Sequence, residues 1–187
     1  WNPGVIVLDF DGTLTKVDTI SKITGLRLRS CATKEDKEAY SKDLNSVIEA
    51  YLQDRAQLKQ SGKKSVVETL VDAENAEHRS IDRVEKARLL AELRPSELKQ
   101  EGKTIEFQDF VPEFFKQARQ LGIPIHVCSA NWSKDMLTGA LEKLGGVESI
   151  ISCDLDFDTK GVSTGKLHRN IVSAPHRTEA KLARIWR

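Results

Sequence analysis

Two aspartates separated by one residue follow a short apolar segment near the start of the chain. Asp9 and Asp11 come directly after residues 5–8, and Gly12 and Thr13 follow them. In an extended segment, side chains two residues apart point the same way, so the two carboxylates would lie close together. Like charges at that distance repel unless a cation lies between them. The spacing therefore predicts a cation site just beyond the apolar segment.

Phosphoryl transfer is the chemistry that such a pair of carboxylates can perform. Mg²⁺ prefers oxygen ligands and is usually held by one or two carboxylates together with substrate phosphate. Asp9 can then attack phosphorus as a covalent nucleophile, and Asp11 can protonate the leaving oxygen and later activate water. Gly12 lets the backbone turn close to the phosphate. The alternative is an aspartate that only caps a helix in an ordinary βα loop, which is common.

Strands and helices are predicted to alternate in the parts of the chain that position this pair. Strands are predicted at residues 5–8 (buried on both faces), 123–128, 149–156 and 162–167. Helices are predicted at residues 111–121, 133–144 and 178–186, the first two ended by glycines. Such alternation is typical of an α/β protein with a parallel sheet. In open sheets of this kind the ligand site lies beyond the carboxyl ends of the strands.

A long segment with a helical pattern separates the first predicted strand from the second. In residues 40–52 apolar side chains recur at three- and four-residue steps, which predicts a helix with one apolar stripe. Further helices are predicted at residues 65–76 and 81–93, with Pro95 ending the latter. We interpret this block, residues 17–104, as a helical cap inserted into a core formed by residues 1–16 and 105–187.

Composition is that of an ordinary globular protein. The 187 residues are 39% hydrophobic and 30% charged, and the net charge of +1 does not indicate a nucleic-acid or membrane surface. No apolar run approaches the length of a membrane span. Three cysteines, Cys31, Cys128 and Cys153, lack the spacing of a disulfide framework or a zinc site. A reducing, cytoplasmic location is therefore the expectation, and the oligomeric state is left open.

The segment from Asp9 to Thr13 resembles the first motif, DxDx[TV], of the haloacid-dehalogenase (HAD) superfamily of phosphatases. The resemblance implies a Rossmann-like parallel sheet with an inserted helical cap. It also implies Mg²⁺-dependent hydrolysis of a small phosphorylated metabolite through an aspartyl-phosphate. In that chemistry Asp9 is the nucleophile, Asp11 is the general acid/base, and both aspartates are metal ligands.

Ser129, at the end of the second predicted strand, resembles the second motif of the superfamily, in which a hydroxyl binds phosphate. Thr13 is expected to bind phosphate as well, and the backbone amides of Ala130 and Asn131 are candidates for further donors. Trp132 is a candidate for contact with the rest of the substrate. The alternative for Trp132 is an ordinary core position.

A third motif in this superfamily supplies a lysine that neutralises the nucleophile and the phosphate. Lys181 is our choice for this catalytic role, with Arg177 and Lys166 as rivals. A fourth motif supplies an acidic pair that completes the magnesium shell, and none follows Lys181 before Arg187. We therefore expect residues 1–187 to lack a metal ligand and at least one core strand, either because the chain is truncated or because the remainder of the core is missing from this stretch.

Shorter sequence matches narrow the resemblance to particular branches of the superfamily. The inserted helical block resembles the cap of the phosphoserine-phosphatase-like branch. Residues 105–110, 129–133 and 163–166 resemble the HAD phosphatase domain fused to thiaminase-like domains in plants, and related fungal proteins. This implies thiamin monophosphate as one possible substrate. The alternatives are a HAD phosphomutase or dehalogenase, and a non-catalytic HAD-like binding remnant, which the missing fourth motif would favour.

Overall fold

A computed structural model describes residues 4–60 and 65–168 of the chain. The elements, in chain order, are β1 (Ile6–Leu8), α1 (Ile20–Ser30), α2 (Lys34–Gln60), α3 (Val66–Lys86), α4 (Pro95–Gly102), α5 (Val111–Gln120), β2 (Ile125–Cys128), α6 (Lys134–Glu142), β3 (Ser149–Ile151), β4 (Asp154–Phe157) and β5 (Ser163–His168). None of the described helices combines the length and apolar character needed to cross a membrane. The last predicted helix, Arg177 and Lys181 lie outside the described residues.

Three parallel strands form the central sheet, in the order β1-β2-β3. Leu8 pairs with Val127 on β2, and Cys128 pairs with Ile151 on β3. The carboxyl ends of all three strands therefore meet at one edge, which confirms the predicted parallel α/β core. The expectation that β1 is buried on both faces is wrong, because Val7 is 41% exposed. In the described sheet β1 is an edge strand, with a partner on one side only.

Helices α4 and α6 approach each other with their backbones in direct contact. A methyl group added at Gly139 would overlap the main-chain carbonyl of Lys99, and one added at Gly102 would overlap that of Met136. An ion pair of 2.6 Å between Lys99 and Glu142 lies on the same contact. α4, from the segment between the first two strands, thus packs on a helix that follows β2. The division between cap and core at residues 104 and 105 stays a prediction.

Helices α2 and α3 pack against each other and are joined by a buried acid. Asp54 on α2 accepts hydrogen bonds from Arg83 (2.7 Å) and Arg79 (3.3 Å) on α3. The Arg83 bond, followed by that of Arg79, holds the pKa of Asp54 below its usual range. At its first turn α3 has a capping box, in which Ser65 and Glu68 each bond the other's backbone N–H.

The two helices predicted at residues 65–76 and 81–93 are one continuous helix, α3, so their separation was wrong. Nothing between them breaks the helix, and Ile81 and Val84 continue its buried face. Beyond Lys86 the chain turns, with Arg88 at a φ of 52°. Leu89 and Leu93 are buried in this turn segment rather than on a helix face. Leu89 and Leu93 are four residues apart, as on one face of a helix, because both side chains enter the same core.

The strand predicted at residues 149–156 is two strands in different sheets. β3 belongs to the parallel sheet, whereas β4 pairs with β5 in an antiparallel hairpin. The predicted turn at residues 158–161 is confirmed, since Asp158 Oδ1 accepts from the backbone N–H groups of Lys160 and Val162. The hairpin packs beside α3, where Leu167 N donates to the carboxylate of Glu85 (2.8 Å).

Candidate active site

Asp9 and Asp11 lie on either side of a residue that anchors the loop after β1. Phe10 is completely buried, and its carbonyl accepts from the backbone N–H of Leu14 (2.9 Å). Gly12 has a φ of 71°, which favours glycine at this turn. Phe10 therefore fills the core while the two acids are left at the carboxyl edge of the sheet.

The Asp9 carboxylate is exposed and accepts one hydrogen bond from the described residues. Thr13 Oγ1 donates to Asp9 Oδ2 at 3.2 Å. Asp9 Oδ1 has no hydrogen-bond partner within residues 4–60 and 65–168. One oxygen is thus held in place, and the other is available to an incoming group. Thr13 reaches the site through this bond and is not part of the cavity wall described below.

The Asp11 carboxylate, in contrast, accepts three hydrogen bonds. Thr19 donates to Oδ1 with its backbone N–H (2.7 Å) and its hydroxyl (2.6 Å). Asn131 Nδ2 donates to Oδ2 at 3.0 Å and also to the Thr19 hydroxyl at 2.9 Å. The carboxylate is therefore held between the residue preceding α1 and the loop after β2.

Thr19 is a site residue that sequence reasoning missed. It occupies the N-cap position of α1, but its hydroxyl donates to Asp11 and does not cap the helix. The neighbouring Asp18 carboxylate bonds the backbone N–H of Ile20 instead (2.8 Å). An Asp-Thr pair before a helical segment was a readable N-cap signal. The contact with Asp11 was not readable, because it depends on how the chain turns after Gly12.

The loop after β2 brings the predicted phosphate-binding residues to the same edge. Ser129 is buried, and its N–H donates to the carbonyl of Ile151, which extends the pairing with β3 (2.9 Å). The Asn131 N–H, a candidate phosphate donor, here donates to Ser129 Oγ at 3.1 Å. Asn131 Oδ1 accepts from Ser133 N (3.1 Å), and the Ser133 side chain caps α6. The Asn131 side chain is thus fixed at both ends.

A cavity of about 630 Å³ opens over this edge. Its core wall contains six predicted site residues: Asp9, Asp11, Ser129, Ala130, Asn131 and Trp132. Its opposite wall comes from the predicted cap, through residues of α1, α2 and α3 and the segments that flank them. Lys166, a rival for the third motif, is exposed on β5 and is not in this wall. Lys181 and Arg177 lie outside the described residues.

Comparison with protein families gives one match that covers nearly the whole sequence. The profile of haloacid dehalogenase-like hydrolases matches residues 6–187. The chain belongs to this family. A search of curated proteins found no match for this HAD hydrolase.

Solved structures share the fold of this HAD hydrolase. Phosphoserine phosphatase, in a structure of its phospho-aspartyl intermediate analogue, is 21% identical with a TM-score of 0.55, covering 100% of this chain and 73% of that one. Cytosolic 5′-nucleotidase IIIB bound to cytidine is 17% identical with a TM-score of 0.60, covering 90% and 54%. A phosphoserine phosphohydrolase-like protein from Francisella tularensis subsp. tularensis SCHU S4 is 13% identical with a TM-score of 0.59, covering 98% and 74%. These likenesses confirm the HAD fold, a parallel sheet with helices.

The family's usual metal can be tested against the groups at the site. Within the described residues, no cluster of three or more Asp, Glu, His or Cys side chains forms a metal site. The Asp9 carboxylate has an oxygen without a protein partner, whereas both oxygens of Asp11 are engaged. Mg²⁺ is usually held by one or two carboxylates plus substrate phosphate and water. The residues fit an ion held by Asp9 Oδ2, whose only described partner is the Thr13 hydroxyl, with Oδ1 left free and Asp11 offering its main-chain carbonyl.

Proposed function

We propose that this HAD hydrolase is a Mg²⁺-dependent phosphomonoesterase that acts on a small phosphorylated metabolite through an aspartyl-phosphate. One observation carries the proposal. An exposed carboxylate with an open oxygen, Asp9, shares a cavity with a second carboxylate, Asp11, that three donors hold in place. Nucleophilic catalysis needs the first kind of group, and general acid/base catalysis needs the second.

The reaction would proceed in two displacements. Asp9 Oδ1 attacks phosphorus, a bond forms between them, and the bond from phosphorus to the ester oxygen breaks as protonated Asp11 gives that oxygen its proton. Asp11 then takes a proton from a water whose oxygen attacks the aspartyl-phosphate, releasing phosphate and Asp9. Ser129, Thr13 and the Ala130 N–H would hold the phosphate oxygens, and Lys181, which lies outside the described residues, is proposed to neutralise their charge. When bound, Mg²⁺ supplies positive charge that offsets the charge of the phosphate oxygens.

Thiamin monophosphate is our candidate substrate. The support is the resemblance of residues 105–110, 129–133 and 163–166 to thiaminase-fused phosphatase domains. The cavity, at about 630 Å³, falls within the range of roughly 300–1,000 Å³ that holds drug-sized ligands, so a substrate larger than a short ester has room. A cytoplasmic location is also proposed, since all three cysteine thiols are free, as suits a reducing compartment.

The substitution Asp9→Asn tests the proposed function. We expect it to abolish hydrolysis of p-nitrophenyl phosphate, because a neutral amide is a poor nucleophile, while circular dichroism and the unfolding midpoint stay close to wild type. Asp43→Asn, on the exposed side of α2, is the matched control for loss of one negative charge and should retain wild-type turnover. Substantial turnover by folded Asp9→Asn would contradict the mechanism.

A further inference from the structure

Helices α2 and α3 supply part of the cavity wall. Their residues in this wall are distant in sequence from the loops that follow β1 and β2. α2 contributes Leu44, Val47, Ile48 and Tyr51, and α3 contributes Glu77, Ser80 and Val84. Both sets recur at three- and four-residue steps, so each lies along one helix face. Most of these side chains are apolar. Tyr51, Glu77 and Ser80 are the exceptions, and we call them the distal polar patch.

The hydrogen bonds of the distal polar patch leave particular positions open. Tyr51 donates its hydroxyl proton to Glu77 Oε1 at 2.8 Å. Burial, followed by the bond to Glu77, raises the pKa of Tyr51 to about 12, so Tyr51 keeps that proton at neutral pH. Arg55 Nη1 lies 3.8 Å from the same oxygen, beyond hydrogen-bond reach. The second oxygen of Glu77 accepts no hydrogen bond from the residues that the structure describes.

Ser80 adds a second open polar group to this wall. It is only 6% exposed and lines the cavity, yet its hydroxyl has no hydrogen-bond partner within residues 4–60 and 65–168. The hydroxyl is not among the fully enclosed polar atoms without a partner, which in the described residues are Arg27 Nε and Ser152 Oγ, so it reaches the open space of the cavity. Serines in helices commonly bond the carbonyl one turn earlier, as Ser41 does with Lys37. The Ser80 hydroxyl is therefore available to a group inside the cavity.

Charge restricts what that group can be. Four carboxylates line the cavity: Asp9, Asp11, Asp18 and Glu77. No lysine, arginine or histidine is among the described residues of its wall; Arg55, outside the wall, pairs with Glu77 Oε1 at 3.8 Å and offsets part of the Glu77 charge. The open Glu77 oxygen can only accept a hydrogen bond. A ligand carboxylate at the distal polar patch would meet like charge, whereas an N–H donor, above all a cationic one, would be attracted.

We propose that the distal polar patch recognises an N–H donor, preferably an ammonium or another nitrogen cation, on the alcohol part of the phosphomonoester. The apolar body of that alcohol then packs against Leu44, Ile48 and Val84, and the site discriminates against alcohols with a carboxylate at the same position. This inference rests on the proposed function, since it places the phosphate at Asp9. The competing explanation is that Glu77, Tyr51 and Arg55 only tie α2 to α3.

Binding of three unreactive phosphonates tests the inference without requiring turnover. They are benzylphosphonates with aminomethyl, ethyl or carboxymethyl groups at the 4-position, so the body is shared while the end is cationic, neutral or anionic. In calorimetric titrations with Mg²⁺ present, wild type should bind the aminomethyl compound roughly three- to tenfold more tightly than the ethyl compound. The carboxymethyl compound should bind most weakly. Equal binding of all three would overturn the inference.

Glu77→Gln separates recognition from helix packing. It should remove most of the preference for the aminomethyl compound while binding of the ethyl compound stays within about twofold of wild type. Ser80→Ala should weaken the aminomethyl compound in the same selective way. Glu74→Gln, one turn earlier on α3 and outside the cavity wall, is the matched control and should retain the full preference. Equal weakening of both compounds by Glu77→Gln would assign Glu77 to structure and overturn its role in recognition.

Hydrolysis of p-nitrophenyl phosphate by the wild-type protein keeps the two proposals distinguishable. If this ester is not hydrolysed but the phosphonate preference holds, the proposed function fails and the chemistry assigned to the cavity stands. If the ester is hydrolysed and the phosphonates bind equally, the proposed function stands and the inference about the distal polar patch fails.

Discussion

The carboxylates of Asp9 and Asp11 are two residues apart in sequence but have different surroundings. Asp9 receives one hydroxyl bond and keeps an open oxygen, whereas Asp11 receives three bonds from Thr19 and Asn131. A nucleophile needs an oxygen that is free to approach phosphorus. A proton donor needs a fixed direction, since proton transfer depends on hydrogen-bond geometry. The different surroundings are the physical basis for giving the two acids different roles.

Asp11→Asn should lower turnover by roughly 10²–10⁴-fold, the usual contribution of a general acid/base. The loss should be largest for alkyl esters, whose leaving oxygens need a proton, and smaller for p-nitrophenyl phosphate. Steady-state assays on both kinds of ester measure this difference, with Asp43→Asn as the charge control. An Asp11→Asn protein that hydrolyses an alkyl ester as fast as wild type would exclude the role.

Thr19→Val should lower kcat about tenfold with little change in KM, because it removes one of the charge-assisted bonds to Asp11 and keeps the backbone bond. Thr19 acts here as a positioning residue, so Thr19→Ser should restore most of the activity. Thr104→Val, whose hydroxyl bonds only the carbonyl of Glu101, is the matched control. A fall in kcat that Thr19→Ser does not reverse would indicate packing by the threonine methyl group.

At the scale of the elements, the contact of α4 with α6 requires glycine. Gly139→Ala places a methyl group against the Lys99 carbonyl, so one helix must move away from the other. Overpacking of this kind typically costs about 1–3 kcal/mol. The free energy of unfolding, measured with denaturant, should fall by that amount. Gly25→Ala within α1, where a methyl group would have ordinary contacts, should instead be neutral or stabilising by about 0.5–1 kcal/mol. Equal effects of the two substitutions would contradict the close approach.

At the scale of the whole molecule, the cavity lies between the catalytic loops and the helices of the predicted cap. Trp132 lines it from the loop after β2 and is half-buried against the hydrophobic core. Trp132→Ala should raise KM for thiamin monophosphate by about tenfold or more, through loss of buried apolar contact. For ethyl phosphate, which is too small to extend along the cavity, KM should change much less. Similar changes for both esters would assign Trp132 to packing alone.

Local patterns in the sequence predicted most of what positions the site. The apolar segment before Asp9 predicted β1, and the segment before Ser129 predicted β2, because strand periodicity and turn residues act over a few positions. Parallel pairing then follows from their alternation with helices, and it places both strand ends at one edge. The roles given to Asp9, Asp11, Ser129 and Lys181 stay predictions that the proposed substitutions test.

The predicted elements were wrong where one local sequence pattern is compatible with two different structures. Leu89 and Leu93 recur at a helical step, yet they are buried from a turn segment that contacts β5 through Ser163. Residues 149–156 are apolar enough for one strand, but the chain changes sheets at Ser152 and Cys153. Which solution forms depends on the surface that each segment packs against, and that surface is made by distant parts of the chain.

By itself the sequence determined the acidic motif, the strand that precedes it, the helical segment that follows and the family to which they point. Only the tertiary structure joined Asp11 to Asn131, 120 residues away, and Tyr51 to Glu77 across two helices. Motifs and periodicity reflect backbone geometry over a few residues, whereas such contacts depend on how whole elements pack. The orientation of Asp11 and the chemistry of the distal polar patch were therefore decided by packing, which no local pattern encodes.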